Sequence, residues 1–325
     1  MGMGKERGMT MLQTGKQTDI KKKKKIFRKE DTALYLMALP TVIFLLIFCY
    51  LPMGGLVMAF QDLNITKGIL HSPFVGLKNF EFLFSTTDAW IITRNTVCYN
   101  LVFIVINLVL SIVLALMLSS LRSGKYAKTM QTIYMLPYFL SYAVVAIVVN
   151  AFLDRDDGLV NAILKLMGEA GKTNWYHRLE LWPPLLVFVN AWKGVGYQTV
   201  LYLAVISGIS TDYYEASVLD GATKFQQARY ITLPHLRYIV GISLILNMSS
   251  IFRGDFGLFY NVPMNQGKIY PVTDVIDTYI YRALTYLNNV GMSTAAGLYQ
   301  SVVGFILVLV VNKIVNRIDP DSAMF

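Results

Sequence analysis

The sequence contains few charged residues and few cysteines for its length. Only 15% of its 325 residues are Asp, Glu, Lys or Arg, whereas soluble domains carry about 25%. Together with a mean hydropathy of +0.49, this composition argues against a water-soluble globular enzyme. Both cysteines, Cys49 and Cys98, lie inside apolar runs, so the sequence predicts neither a disulfide framework nor a cysteine-based metal site.

Motifs for catalysis and nucleotide binding are also missing. The histidines, His71, His177 and His235, show neither a His-Glu-x-x-His pattern nor metal-ligand spacing. Gly171-Lys172-Thr173 resembles the end of a P-loop, but Leu166 occupies the position where that motif needs its first glycine. We therefore expect no metal, no cofactor and no catalytic role in this chain.

Long apolar runs predict membrane crossings instead. About 20 apolar residues at 1.5 Å each cover a bilayer core of roughly 30 Å. Six apolar runs are predicted to cross the membrane. Five of them contain no Asp, Glu, Lys or Arg, and the fourth contains only Lys193. They cover residues 33–61, 95–121, 129–153, 181–209, 238–252 and 295–312. The predicted fold class is an all-α membrane protein with six transmembrane helices.

The distribution of charge predicts the orientation in the membrane. The net charge of +9 is concentrated before the first run, in the lysine run 21–25 with Arg28 and Lys29. Further basic residues follow the second, fourth and sixth runs, and they all share one side if the chain crosses six times. The positive-inside rule then places both termini in the cytoplasm. Residues 1–30 are expected to be a disordered basic tail that anchors the chain and binds no nucleic acid, and residues 31–325 the transmembrane domain.

The segment between the fourth and fifth runs, 210–237, contains several helix signals, and we call it the elbow segment. Capping-box patterns occur at Asp212-x-x-Glu215 and at Thr223-x-x-Gln226. Gly221 favours a left-handed stop between them, and Pro234 is expected to limit the second helix. Two short helices meeting at a glycine are predicted, either as a linker on the membrane surface or as a docking element for a partner.

One stretch of the elbow segment resembles a known motif. Glu215-Ala216-Ser217-x-x-Asp220-Gly221-Ala222, followed by Ile231-x-Leu233-Pro234, resembles the EAA loop in permease subunits of bacterial ABC importers. The pattern departs at Ser217, where alanine is usual. The resemblance implies a coupling-helix loop that sits in a cleft of a separate ATPase subunit. The coupling residues that it implies are Glu215, Ala216, Asp220, Gly221, Ala222, Leu233 and Pro234.

Other motifs extend the resemblance over almost the whole chain after residue 30. The segments 135–140, 192–198, 254–261, 274–282 and 316–325 are similar to permeases of carbohydrate importers, in particular the branch that handles complex polysaccharide fragments. The resemblance implies a type I ABC importer permease fold in the bacterial plasma membrane. It also implies a second permease as a heterodimer partner, cytoplasmic ATPase subunits that bind the ATP, and an extracellular sugar-binding lipoprotein.

Polar and aromatic residues in or near the runs are candidates for a sugar path, because polar groups in hydrocarbon are costly and aromatic faces suit sugars. The alternatives are interhelical hydrogen bonds and an interfacial aromatic belt. Lys193 requires a wet cavity, an acidic partner or a carbonyl-rich helix end. Residues 274–284 are expected to form an amphipathic surface helix. The path candidates are Asn190, Lys193, Tyr197, Gln198, Asn247, Ser250, Arg253, Asp255 and Phe256.

The predicted function is that of a permease subunit forming half of the pore of an ATP-driven importer. Its cargo would be oligosaccharides or polysaccharide fragments delivered by the lipoprotein. A permease for another solute, such as a peptide or polyamine, is the first alternative. An ATP-independent secondary carrier is the second, although the spans offer few acids for ion coupling. An intramembrane enzyme is a distant third, because the sequence lacks a catalytic constellation.

Overall fold

The computed structural model describes residues 32–64, 66–81, 85–121, 124–168 and 173–318. These residues are mainly helical, and within them the only β-type pairing is the isolated bridge between Gln61 and Phe74. The α-helices are α1 (Thr32–Leu45), α2 (Thr87–Ser119), α3 (Gly124–Met135), α4 (Tyr142–Leu153), α5 (Leu159–Leu166), α6 (Trp182–Ser207), α7 (Thr211–Leu219), α8 (Lys224–Gln227), α9 (Leu233–Ser249), α10 (Phe256–Asn261), α11 (Tyr270–Thr273), α12 (Ile276–Thr285) and α13 (Val290–Ile318). The predicted tail, 1–30, lies outside the described residues.

The chain divides into two compact units, residues 1–54 and 55–325. The described part of the first unit contains α1, which has Pro40 inside it, and the π-helical turn Leu46–Tyr50. The 3-10 helix Leu51–Phe60 follows. The second unit contains all the other α-helices.

Four helical segments are long and apolar enough to cross a membrane: Leu34–Phe60, Thr87–Ser119, Lys224–Ser249 and Val290–Arg317. The pair Gly124–Phe139 and Tyr142–Leu153 makes a fifth if it is counted as one bent span. Although α6 has 26 residues, it does not join this set, because polar residues interrupt its apolar sequence. The described residues therefore contain four or five of the six predicted apolar spans.

The third predicted span is a broken helix, contrary to the continuous run expected over 129–153. Its two halves, α3 and α4, meet at 94°. The 3-10 helix Leu136–Phe139 with its buried Pro137 lies at the break. Proline lacks an N–H and its ring displaces the preceding turn, so a sharp bend is expected there. The hydroxyl of Ser141 then caps α4 by accepting a hydrogen bond from the Val144 N–H at 3.3 Å.

The helices α2 and α6 pack closely because small and polar side chains occupy their contact. The Ser111 hydroxyl donates to the Val195 carbonyl at 3.2 Å, and the Thr199 hydroxyl, which donates to the Val195 carbonyl at 2.7 Å, lies 3.4 Å from the Ser111 carbonyl. Interhelical contacts of this kind are typical of helices packed in membranes. A hydrophobic core surrounds Trp182 and Leu186 near the start of α6, and both side chains are fully buried.

The amphipathic helix predicted over 274–284 exists as α12, but its apolar side does not lie on a membrane surface. Ile276 is fully buried and Tyr279 is largely buried. Both belong to a cluster with Ala295 and Ala296 of α13. These small alanine side chains let α12 approach α13 closely, so the apolar side of α12 is covered by protein.

Candidate functional site

The elbow segment begins with a capped helix, as its sequence predicts, although the capping residue differs. The helix α7 starts at Thr211, and the Ser210 hydroxyl accepts a hydrogen bond from the Asp212 N–H at 3.3 Å. The predicted cap was Asp212 with Glu215. Because Ser210 takes the capping position, Glu215 stays exposed on the helix surface.

The helix α7 ends at the predicted glycine. Gly221 has φ +78°, a left-handed conformation that glycine adopts without steric cost. Its N–H donates to the Val218 carbonyl at 3.0 Å, and the Ala222 N–H donates to the Ser217 carbonyl at 2.9 Å. This pair of bonds is a Schellman motif, which satisfies the last carbonyls of a helix and reverses the chain direction.

The second helix of the elbow segment begins with the predicted capping box. The Thr223 hydroxyl accepts from the Gln226 N–H at 3.3 Å, and the Gln226 side chain accepts from the Thr223 N–H at 2.7 Å. The predicted stop at Pro234 is wrong. The π-helical turn Ala228–Thr232 joins α8 to α9 without a break. A wider π turn provides room for the proline ring, so the helical segment continues to Ser249.

Side-chain hydrogen bonds hold the two arms of the elbow segment together. The Tyr214 and Thr232 hydroxyls lie 3.0 Å apart. The Gln227 amide donates to the Ser217 hydroxyl at 2.9 Å. Gln227 and Thr232 are buried, so these bonds are shielded from water. Ser217, the one departure from the family motif, thus connects the two helices.

The outer surface of the elbow segment remains uncovered. Val218, Leu219 and Phe225 are 59%, 89% and 72% exposed. Of the predicted coupling residues, all but the half-buried Ala222 are exposed as well: Glu215, Ala216, Asp220, Gly221, Leu233 and Pro234. The elbow segment therefore presents apolar and acidic side chains on a rigid support.

Six of the nine predicted path residues line a single polar cavity of about 250 Å³. The cavity lies among α2, α6 and the end of α9, and we call it the polar cavity. Its predicted lining residues are Asn190, Gln198, Asn247, Ser250, Arg253 and Asp255, and five more residues complete the wall: Asn100, Phe103, Ile104, Asn107 and Gly254.

A buried acceptor in the polar cavity is left without a partner. The Asn107 amide donates to the Asn190 side-chain oxygen at 2.8 Å. Its own side-chain oxygen is buried and has no hydrogen-bond partner among the described residues. Leaving a buried acceptor unsatisfied costs about 1–3 kcal/mol. Because this oxygen has no accessible surface, a solute in the cavity would reach it only if the wall between α2 and α6 opened.

The sequence-based candidates omitted Asn100, which builds the cavity wall. Its amide donates to the Ile251 and Arg253 carbonyls at 2.9 Å each, just beyond the end of α9. The sequence does contain a signal for Asn100. It is seven residues before Asn107, so both side chains lie on the same side of α2. That signal identifies a shared face but does not reveal which other helix the face contacts.

The backbone of the wall residue Gly254 is hydrogen-bonded to an acidic side chain that lies outside the cavity lining. The Asp277 carboxylate accepts from the Gly254 N–H and from the Gln300 amide, the latter at 2.9 Å. A side chain at Gly254 would collide with Val275, whose methyl carbon lies 2.7 Å from the position of a β-carbon. Burial raises the pKa of Asp277 above its ordinary value, and the two hydrogen bonds oppose that shift.

Lys193 lies outside the polar cavity, at the break in the third span. Its ammonium group donates to the Pro137 and Tyr138 carbonyls at 3.2 Å each and also to the Leu140 carbonyl. The Tyr142 ring centroid lies 4.7 Å from the same nitrogen. These contacts match the carbonyl-rich helix end that was one of the three environments expected for this lysine.

The other two path candidates also lie apart from the cavity lining. Tyr197 is 54% exposed and stacks on Tyr138, with ring centroids 4.8 Å apart. Phe256 follows directly after Asp255 but stacks on Tyr260, with centroids 4.9 Å apart. Neither aromatic ring contributes to the cavity wall.

Comparison with known proteins places this architecture in a family. Residues 107–320 match the family described as binding-protein-dependent transport system inner membrane component. The chain belongs to this permease family. Its membership confirms the predicted resemblance to importer permeases and a multi-pass location in the membrane.

Relatives of this permease are similar over almost their full length. The polygalacturonan/rhamnogalacturonan transport system permease protein YteP of Bacillus subtilis (strain 168) is 33% identical, with 93% of this chain and 94% of that protein covered. Protein LplB of the same organism is 32% identical, with 90% and 92% covered. A crystal structure of a bacterial ABC transporter involved in the import of the acidic polysaccharide alginate matches with a TM-score of 0.80 and 34% identity, covering 90% of this chain and 97% of that one.

Proposed function

We propose that this permease forms one half of the pore of an ATP-driven importer for oligosaccharides derived from polysaccharides. The observation that carries the proposal is the polar cavity, whose lining brings amide, hydroxyl and charged side chains together in one place. Dense hydroxyl groups are what such a lining binds. The chain itself would be non-catalytic, with ATP hydrolysed by a separate subunit.

The cargo class is supported by the relatives. YteP carries a name for polygalacturonan and rhamnogalacturonan transport, and the solved alginate importer handles an acidic polysaccharide. A second alginate transporter structure, 33% identical, contains a periplasmic protein with bound alginate pentasaccharide. In this chain Arg253 supplies a cationic group to the cavity lining. We therefore favour uronate-containing oligosaccharides, handed over by an external binding lipoprotein.

The transmembrane arrangement completes the proposal. With α6 counted as a span and α3–α4 as one bent span, the chain crosses six times and both termini lie in the cytoplasm. The elbow segment then lies on the cytoplasmic side as a coupling-helix loop and docks on an ATPase subunit. A second permease would supply the other half of the pore.

Neighbouring serines at the end of α9 allow a sharp test. Ser250 lines the polar cavity and Ser249 does not. Each hydroxyl donates to the carbonyl three residues earlier, at 3.0 and 2.7 Å. Ser250→Trp should fill the cavity and abolish ATP-dependent uptake of an oligogalacturonide by proteoliposomes that contain the whole importer. Ser249→Trp should retain uptake.

The same assay separates the rival functions. Uptake that persists without ATP would favour a secondary carrier, and uptake of a peptide or polyamine in place of the sugar would favour another solute class. Equal uptake by both tryptophan variants would overturn the assignment of the cavity.

A further inference from the structure

Four aromatic side chains form a cluster that follows the polar-cavity residue Asp255 in the chain: Phe256 and Tyr260 are half-buried, and Tyr281 and Tyr286 are exposed. Phe256 and Tyr260 of α10 stack nearly parallel, with centroids 4.9 Å apart and planes at 15°. Tyr281 of α12 lies 5.0 Å from each of them. The hydroxyls of Tyr260 and Tyr286 are 3.2 Å apart. We call these four residues the aromatic platform.

The platform is not part of the protein core. Tyr281 and Tyr286 are 36% and 60% exposed, whereas Ile276 and Ala283 on the other side of α12 are fully buried or nearly so. The helix α12 therefore packs on α13 through the side that contains Ile276 and leaves the rings of Tyr281 and Tyr286 accessible. The hydrogen bond to Tyr286 and burial raise the pKa of Tyr260 above its ordinary value.

One residue connects the platform to the polar cavity. Asp255 lines the cavity, and its carboxylate also caps α10 by accepting from the Leu258 N–H at 3.2 Å. Phe256 is the next residue in the chain. Phe256 therefore begins α10 immediately after a residue of the cavity wall, although its ring lies outside that wall.

The size of the cavity shows why a second surface is needed. Its volume of about 250 Å³ is below the roughly 300–1,000 Å³ of pockets that enclose a drug-sized ligand. An oligosaccharide must therefore extend beyond it. Sugar rings have apolar C–H faces and hydroxyl edges, and the platform offers flat ring faces next to phenol hydroxyls.

We propose that the aromatic platform is a sugar-binding subsite that stacks on the pyranose rings of an oligosaccharide extending out of the polar cavity. The inference rests on the proposed function and adds a determinant of cargo length. A disaccharide would be held by the polar cavity and the second permease alone, whereas a tetrasaccharide would also engage the platform.

The test compares two double variants in proteoliposomes that contain the complete importer. Tyr281→Ser with Tyr286→Ser removes two rings, and Tyr281→Phe with Tyr286→Phe keeps both rings. The serine variant should raise the tetragalacturonide concentration for half-maximal uptake by about two- to tenfold and leave digalacturonide uptake unchanged. The phenylalanine variant should retain most of the tetrasaccharide affinity.

The other outcomes overturn the proposal. In the serine variant, an equal change in the half-maximal concentration of both sugars, or no change for either, would show that the rings do not bind the longer sugar specifically. Loss of co-purification with the second permease or the binding lipoprotein would show that a protein covers the platform. If the unmodified importer takes up neither sugar, the proposed function fails and the platform fails with it, whereas failure of the platform alone leaves wild-type uptake intact.

Discussion

Lys193 shows how a single polar residue is accommodated at a buried position near the middle of α6. A lysine at the centre of a bilayer costs roughly 2.5–3.5 kcal/mol on insertion scales. Here the bend in the third span turns carbonyl groups toward Lys193, because it interrupts the regular hydrogen bonds of the helix, although the Pro137 carbonyl also accepts from the Leu140 N–H. The side chain is 8% exposed and contacts three of these carbonyls. We infer that Lys193 holds the bend in the third span.

A substitution at Lys193 tests this role. Lys193→Met keeps the length of the side chain but removes the donor of the Tyr138 and Leu140 carbonyls, so the importer should lose about 1–3 kcal/mol of stability. Thermal unfolding of the purified complex measures the loss, and Lys193→Arg, which restores a cationic donor, is the control. Unchanged stability combined with selective loss of acidic sugar uptake would instead assign Lys193 to the substrate.

At the scale of helices, the elbow segment depends on one backbone conformation. Gly221 has φ +78°, and no atom lies within 4 Å of the position where a β-carbon would stand. A β-carbon there would meet no atom of this chain, so any effect of a substitution on the turn itself must come from backbone strain. Asparagine tolerates the left-handed region better than other non-glycine residues, and β-branched residues tolerate it poorly.

This difference predicts the behaviour of two Gly221 variants. Gly221→Val should strain the turn by about 1–2 kcal/mol, change the direction of α7 and reduce the stimulation of ATP hydrolysis by the sugar-loaded lipoprotein. Gly221→Asn should keep most of the stimulation. Both proteins should still insert into the membrane, as membrane fractionation would show. Equal stimulation in both variants would argue that the geometry of the turn is unimportant for coupling.

Local signals in the sequence predicted the elements better than their packing. The capping box at Thr223 and the left-handed Gly221 were predicted correctly because each depends on residues within one helical turn. The 94° break at Pro137 was missed, since a proline in an apolar run is compatible with either a gentle kink or a sharp bend. The polar cavity was predicted only as a set of residues, because Asn100 and Asn107 join it through contacts with distant helices.

At the scale of the whole molecule, one helical segment connects the elbow segment to the polar cavity. The segment Lys224–Ser249 has 26 residues and, at 1.5 Å per residue, is about 39 Å long. Its first half, residues 224–237, belongs to the elbow segment, and Asn247 near its last turn lines the cavity. The helix α6 makes a second connection, since Asn190 and Gln198 line the cavity and Ser210, three residues after its end, caps α7. A movement of the elbow segment would therefore be transmitted to the cavity by two helices.

This account requires an ATPase subunit at the elbow segment, and site-directed photo-crosslinking of the purified complex tests that contact most directly. Cys49 and Cys98 would first be replaced by serine, and a benzophenone maleimide would be attached at Glu215→Cys or, as a control on α13, at Ser301→Cys. The account predicts an adduct between the permease and the ATPase subunit from Glu215→Cys and none from Ser301→Cys. The absence of an adduct from Glu215→Cys, both with and without ATP, would contradict it.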